Sequence, residues 1–337
     1  MLCRRASSAN VWLAVTGACA VLLTAGLAAG QAPKPIVFKG HTNSVSQVAF
    51  APTGRVLASG GWDETVRLWD PAGGPSRQTL VDHTDWVLAV QFTADGKSLM
   101  TATQRSVKAW HAETGALEHS WQGLPGQRIS MVTISQDGRR LACGMRDGGV
   151  LLYELNRADG GVLGKPRAWR AHKSWIDTIV FDRSGQRLAT GCRTGEMAVW
   201  DAKTGRVVSK PAGHGGQQVS ALAFAPKGDQ LASGGFDTIV RIWNTDDGKA
   251  VAQLKGHKGL VLSLCYAPDG KQLASGERHG PIKLWSLPDY QLDLTLPGHA
   301  GGQLGFSVHS LDYSADGKLL ASSGRDKLVR VWRLPDE

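Results

Sequence analysis

Gly40-His41-Thr42-Asn43-Ser44-Val45-Ser46-Gln47-Val48-Ala49-Phe50-Ala51-Pro52-Thr53-Gly54-Arg55-Val56-Leu57-Ala58-Ser59-Gly60-Gly61-Trp62-Asp63-Glu64-Thr65-Val66-Arg67-Leu68-Trp69-Asp70 decides the fold. Three short alternating runs, Val45–Phe50, Val56–Ser59 and Val66–Trp69, are separated by turn chemistry at Ala51–Gly54 and Gly60–Asp63. Such runs, bounded by Gly, Pro and Asp, read as short antiparallel strands. The layout recurs seven times. Gly54, Gly96, Gly138, Gly185, Gly228, Gly270 and Gly317 are each followed after 14 or 15 residues by an aromatic, namely Trp69, Trp110, Tyr153, Trp200, Trp243, Trp285 and Trp332. Successive aromatics lie 41, 43, 47, 43, 42 and 47 residues apart. A period of roughly 40–45 residues with four strands per unit marks a β-propeller. The expected fold is therefore all-β, a seven-bladed ring forming one domain, although 337 residues would ordinarily suggest two.

Residues 1–30 stand outside the repeat. Arg4 and Arg5 precede an uncharged apolar run, Val11 to Leu27, and Ala28-Ala29-Gly30 follows. Charge, apolar run and small residues, in that order, read as a secretory signal peptide. Cleavage before Gln31 would leave residues 31–337 as the propeller and export the protein to a periplasmic or extracellular compartment. The alternative is an uncleaved membrane anchor over residues 11–27, a length close to the roughly 17-residue lower limit for spanning.

The formal charge is +9, or +7 without Arg4 and Arg5. From Arg139 to Arg193 eleven Lys or Arg face five acids, so a surplus of six is concentrated on the third and fourth units. A localised basic sector suits an anionic surface or polymer, nucleic acid included; a solvated rim that keeps the protein soluble is the plainer reading. Beyond the presequence the cysteines are Cys143, Cys192 and Cys265. Their spacing gives no metal-ligand pattern, and small buried side chains are expected. No metal and no cofactor is expected.

The layout resembles the WD40 repeat family from about Lys34 to Leu334. The family's Gly-His opening recurs as Gly40-His41, Gly213-His214, Gly256-His257 and Gly298-His299, with Asp82-His83 and Ala171-His172 as variants. Its Trp-Asp closing recurs as Trp69-Asp70 and Trp200-Asp201. Trp110-His111, Tyr153-Glu154, Trp243-Asn244, Trp285-Ser286 and Trp332-Arg333 depart from it, so repeats end near 70, 111, 154, 201, 244, 286 and 333. The resemblance implies a hydrogen-bonded structural tetrad in complete units: His41, Ser59, Asp63 and Trp69 in the first; His214, Ser233, Asp237 and Trp243 in the fifth; His299, Ser322, Asp326 and Trp332 in the seventh. The chemistry agrees, because a buried indole N–H needs an acceptor and an Asp in a tight turn can be shared between donors. Six residues before the aromatic, the even units carry Gln104, Thr194 and His279 instead of Asp. The third unit keeps Asp147 but lacks an opening His and has Cys143 at the Ser position. Those blades are expected to rest more on packing than on the network.

A recurring His, Ser and Asp set invites a catalytic-triad reading, yet a set repeated around a ring serves turns rather than a strained nucleophile elbow. No Gly-x-Ser-x-Gly and no His-Glu-x-x-His occurs, and Gly96-Lys97-Ser98 lacks the first Gly of a phosphate loop, Gln91 standing there. No catalytic residue is expected. A propeller enzyme at the channel mouth is the second alternative and would need converging carboxylates or metal ligands.

Ring closure is legible too. After Trp332 too few residues remain for a fourth strand, and Lys34–Lys39 precedes the first unit without a blade of its own. Pairing the two ends would complete the last blade and remove an open edge.

The opening-His loops and the Asp turns are expected on one face around the channel. Trp62, Arg146, Arg193, Phe236, Arg278 and Arg325 precede the Asp position, and Trp86, Trp175 and Leu260 follow the opening His. Arg and Trp are enriched at binding hot spots, so these nine residues are the candidate partner-binding set. Their other reading is as blade-end caps, with Arg stacked on a neighbouring ring. The expected role is a monomeric interaction scaffold for a protein or peptide with acidic and apolar side chains, with no small-molecule substrate. Two longer segments stand out: Gly301–Phe306 on that face, a partner-sensing loop or a neutral insertion, and Asn156–Arg170 opposite, with Arg157, Lys165, Arg167 and Arg170.

Overall fold

The computed structural model describes residues 32–156, 161, 163–299 and 307–335. The expected presequence, Gly301–Phe306 and Arg157 lie outside the described residues.

Each periodic Gly closes a tight turn with its backbone in the left-handed region, φ running from 68° to 77°. Gly54 N donates to Ala51 O at 2.8 Å, and Gly317 N to Ser314 O at 2.9 Å. A residue bearing a Cβ pays about 1 kcal/mol or more there. Seven turns of one kind therefore call for seven glycines.

Those turns join strands into blades. In blade one, Val45–Phe50, Leu57–Gly61, Val66–Trp69 and Gln78–Leu80 pair antiparallel in that order from the channel outward. Seven four-stranded sheets of this kind are present. The innermost strands of blades two to seven are Ala89–Phe92, Ile129–Ile134, Ile176–Phe181, Val219–Phe224, Val261–Tyr266 and Val308–Tyr313. Each packs beside the next, and the seventh packs back on the first.

The last blade borrows its outer strand from the other end of the chain. Ile36–Phe38 pairs with Val329–Arg333 antiparallel, Ile36 opposite Val331 and Phe38 opposite Val329. The seventh blade thus reaches four strands like the others, and the edge of Val329–Arg333 is covered.

Apolar packing lies between blades rather than within them, and seven clusters fill the seven seams. The closing seam joins Phe38, Val329 and Val331 to Val45, Phe50 and Trp69. Polar side chains stitch the inner strands together, since each presents backbone groups that must find partners. The Ser46 hydroxyl lies 2.5 Å from Val87 O and that of Ser130 2.5 Å from Ile176 O. At the closing seam Phe50 N donates to Asp312 Oδ2 at 2.6 Å and Val48 N to Ser310 Oγ at 3.4 Å.

Candidate interaction face

An antiparallel blade sends its second-to-third-strand turn and its incoming loop to the same end. In blade one this brings Asp63 to His41, whose Nδ1 lies 3.0 Å from both carboxylate oxygens. Trp69 Nε1 donates to Ser59 Oγ at 2.8 Å, and Ser59 Oγ lies 2.8 Å from His41 Nε2. Because Ser59 already accepts from the indole, its own proton goes to Nε2, which leaves Nδ1 protonated toward Asp63. Burial pushes the Asp63 carboxyl up, but His41, the Thr42 amide and Thr65 outweigh it and hold it well below the usual carboxylate range.

Blades five and seven repeat the chain. His214 Nδ1 is 2.9 Å from Asp237 and Nε2 is 2.8 Å from Ser233; His299 makes the same contacts to Asp326 and Ser322 at 2.8 and 2.9 Å. Arg241 and Arg330 add a donor each to the second carboxylate oxygen at 2.5 Å. Burial lowers the His214 and His299 pKa values against the pull of their Asp partners, which keeps these imidazoles neutral.

The even blades, expected to rest more on packing than on the network, keep much of the network. In blade two Thr101 takes the Ser role, accepting from Trp110 at 2.8 Å and lying 2.9 Å from His83 Nε2. Thr190 does so in blade four, 2.9 Å from Trp200 Nε1 and 2.8 Å from His172 Nε2. Blade six is complete: Ser275 joins Trp285 and His257, and Glu277 replaces Asp, 2.7 Å from His257 Nδ1. Ser or Thr nine or ten residues before each Trp was the available signal. Glu277 could not be found by counting back six, because it stands where blade one has Gly61. A Cβ at Gly61 would meet His41 Nδ1 at 2.6 Å, so any side chain at that position is aimed at the imidazole. Blade three changes both ends at once: Tyr153 has no indole N–H, and Cys143, at the Ser position, is fully buried. His83 is the incomplete case, its Nδ1 buried without a partner among the described residues. Burial, then the nearby Lys108, pull its pKa down to about 4 against Asp82.

Above these networks, the nine candidate face residues occupy two equivalent positions per blade. The amide of the first bonds the carbonyl of the second: Arg193 N to Trp175 O at 3.0 Å, Arg278 N to Leu260 O at 2.9 Å. The same pairing joins Trp62 to Ser44, Arg146 to Arg128, Phe236 to Gln218 and Arg325 to Ser307. Side chains gather in two places. Trp62 stacks on Trp86 with centroids 5.0 Å apart and on His309 at 5.8 Å, joining blades one, two and seven. Two guanidinium groups approach the Trp175 ring, Arg193 at 4.1 Å and Arg146 at 4.9 Å from its centroid. Arg193 also pairs with Asp177 at 3.1 Å. Trp86 remains 47% exposed, and Trp175 and Phe236 37% each. Arg278 and Arg325 are exposed and Leu260 is partly buried in the equivalent positions of blades six and seven. Sequence reasoning missed Arg128, which is exposed and matches Trp175 in position. It directly precedes its inner strand, as Trp175 does its own, but blade three offers no opening His to count from.

Within the channel Asp312 accepts from Phe50 N, and Cys265 Sγ lies 3.9 Å from its other oxygen. Enclosure by the inner strands raises its pKa to about 7 despite the amides of Phe50 and Tyr313. The spacing of the cysteines hid one grouping that folding creates. Among the described residues His172, Cys192 and Glu196 bring ligand atoms within 4.8 Å of one another.

Comparison with known proteins follows the same lines. The family described as WD domain, G-beta repeat matches residues 34–70, 74–111, 165–201, 205–244, 248–286 and 291–333, well over half of the chain. The gap falls on the third unit, where the opening His and the Ser are missing. Protein tipD of Dictyostelium discoideum is 26% identical over 190 residues, covering 55% of this chain and 30% of that protein. The target of rapamycin complex subunit wat1 of Schizosaccharomyces pombe is 27% identical over 170 residues, 50% of this chain and 54% of its own. The small ribosomal subunit protein RACK1 of Drosophila melanogaster is 24% identical over 217 residues, 51% of this chain and 66% of its own. The chain spans less than two thirds of the length of each. With six repeats matched and seven blades formed, the chain belongs to the WD40 repeat family.

Proposed function

We propose that this propeller is a non-enzymatic interaction module, exported by its N-terminal segment, that holds a protein segment bearing acidic and apolar side chains on its Arg and aromatic face. The cluster of Arg146, Trp175 and Arg193 carries this reading. It offers a partly exposed indole with two cations against its ring, so a carboxylate and an apolar group from one peptide can be met together. The stack of Trp86, Trp62 and His309 supplies a second apolar platform across the channel mouth. Two of the relatives are by name subunits of larger assemblies, which agrees with a binding role.

The His, Ser and Asp sets speak against hydrolysis. Ser59, Ser233, Ser275 and Ser322 are each 0% exposed, and every hydroxyl is bonded to both an indole and an imidazole. No substrate carbonyl can reach them. The basic sector is partly consumed internally, Arg187 pairing with Asp246 at 2.6 Å and Arg193 with Asp177, which weakens the anionic-polymer alternative.

Selection from a displayed peptide library on the purified protein tests the reading. Acidic and apolar sequences are expected to emerge, with binding reduced at least about tenfold by Trp175→Ala, Arg193→Ala or Trp86→Ala, the size of a hot-spot truncation. Selected peptides of no common charge, or binding indifferent to all three changes, would refute it. Steep loss of affinity for nucleic acid or polyphosphate with added salt would favour the polymer reading instead.

A further inference from the structure

We propose that blade four holds a zinc-type divalent cation through His172 Nδ1, Cys192 Sγ and a Glu196 carboxylate oxygen. The other His-bearing blades show why these three side chains converge. Cys192 stands where blades one, five and seven have Gly61, Gly235 and Gly324, the position from which a Cβ meets His Nδ1 at 2.6, 2.9 and 2.2 Å. Glu277 at this position in blade six sends its carboxylate onto Nδ1. Cys192 places its thiol within 4.8 Å of the same nitrogen and 3.2 Å from Thr194 Oγ1, a contact that a bound metal would replace.

Two further replacements complete the set. Thr194 stands in place of Asp63, which removes the carboxylate that would otherwise claim Nδ1. Glu196 stands in place of Thr65 and lies 3.5 Å from Nδ1, longer than the 2.7–3.0 Å His–carboxylate contacts of blades one, five, six and seven. His172 and Cys192 are buried and Glu196 is exposed. The site therefore opens to solvent on one side, where water can fill a fourth position. Imidazole, thiolate and carboxylate are the three ligand types of zinc, which takes tetrahedral mixed sets readily. Lys210 is the nearby cation that acts against the metal's charge.

The second sphere permits the needed protonation state. Thr190 Oγ1 lies 2.8 Å from Nε2 and 3.5 Å from Ala198 O. When the ring proton moves to Nε2, it is donated to Thr190, whose hydroxyl proton turns to Ala198 O. Nδ1 is then free to bind, and the thiol releases one proton to solvent as the sulfur–metal bond forms.

The site would also clip together the two segments that carry Trp175 and Arg193. His172 lies three residues before Trp175, and Cys192 and Thr194 flank Arg193.

Cobalt(II) titration of the full chain, kept reduced and freed of metal by a chelator, is the test. One cobalt per chain is expected, with a thiolate-to-cobalt absorption band that zinc abolishes by displacement and with one proton released per metal. Cys192→Ser should eliminate the band, and Glu196→Gln, an exposed change that leaves the melting temperature of the metal-free protein unaltered, should weaken binding at least tenfold. Thr194→Asp, which restores the competing carboxylate, should also suppress binding. Absence of the band, or its survival in Cys192→Ser through the other cysteines, would overturn the proposal. If Cys192→Ser fails to fold, undiminished binding by Glu196→Gln does so.

Discussion

Phe38→Ala isolates the closure of the ring in one side chain. The borrowed strand leaves Ile36 and Val37 partly open to solvent, 38% and 41% exposed, whereas Phe38 is 1% exposed and its ring centroid lies 5.4 Å from that of Trp69. It packs against Val329 and Val331 of blade seven and Val45 of blade one, so it spans the seam that joins the two chain ends. Removing a buried Phe side chain destabilises by about 3–5 kcal/mol through lost transfer energy and the cavity left behind. With a urea dependence of about 3 kcal/mol per molar for a domain of this size, the unfolding midpoint should fall by about 1–1.7 M. Leu254→Ala is the matched control. Leu254 faces Val240 as Phe38 faces Val329, but within a blade of consecutive strands; its expected effect is about 2–5 kcal/mol. Urea unfolding followed by tryptophan fluorescence and by far-ultraviolet circular dichroism measures both variants and checks that one transition is observed. A midpoint shift below about 0.3 M for Phe38→Ala, with Leu254→Ala still costly, would refute the argument that this seam bears on the stability of the whole ring.

Ser233→Cys should destabilise by about 1–3 kcal/mol, because Trp243 Nε1 and His214 Nε2 then lose an oxygen partner in a buried site. Cys143→Ser should do the same in reverse, placing a hydroxyl in a fully buried site of a blade whose Tyr153 has no indole to donate; thermal melts reporting either change as neutral would contradict the pairing. His83 sets a pH dependence whose sign is fixed. Its imidazole titrates near 6.5 when unfolded and at about 4 when folded, so the unfolded chain binds more protons in between. Stability is present above 6.5 and is lost as pH falls toward 4, by up to about 3 kcal/mol from this residue. His83→Gln should flatten that slope in melts between pH 7 and 4.5, and an unchanged slope would sink the assignment. Asp312 acts oppositely, since its folded pKa is raised to about 7. Its contribution is full in acid and is lost as pH rises through 7, so Asp312→Asn should be more stable than the parent at pH 8 and no more stable at pH 4. A gain at pH 4 equal to that at pH 8 would exclude this titration as the cause.

The periodic Gly and aromatic positions carried the fold by themselves. A left-handed turn needs Gly wherever it occurs, and a buried Trp at a fixed distance from it fixes strand number and register. Closure was equally legible, because a seventh unit one strand short and a spare apolar segment at the other end have one way to pair. Counting residues failed where the chain is equivalent in space but not in sequence. Glu277 and Asp63 reach the same imidazole nitrogen from positions two apart, and only the convergence of backbone at the blade end reveals it. Arg128 escaped because its blade has no His landmark. The grouping of His172 with Cys192 and Glu196 depends on a loop and a turn meeting across 20 and 24 residues. Linear spacing determined the ring; side-chain direction at the blade ends, a property of the folded backbone, decided what each blade presents.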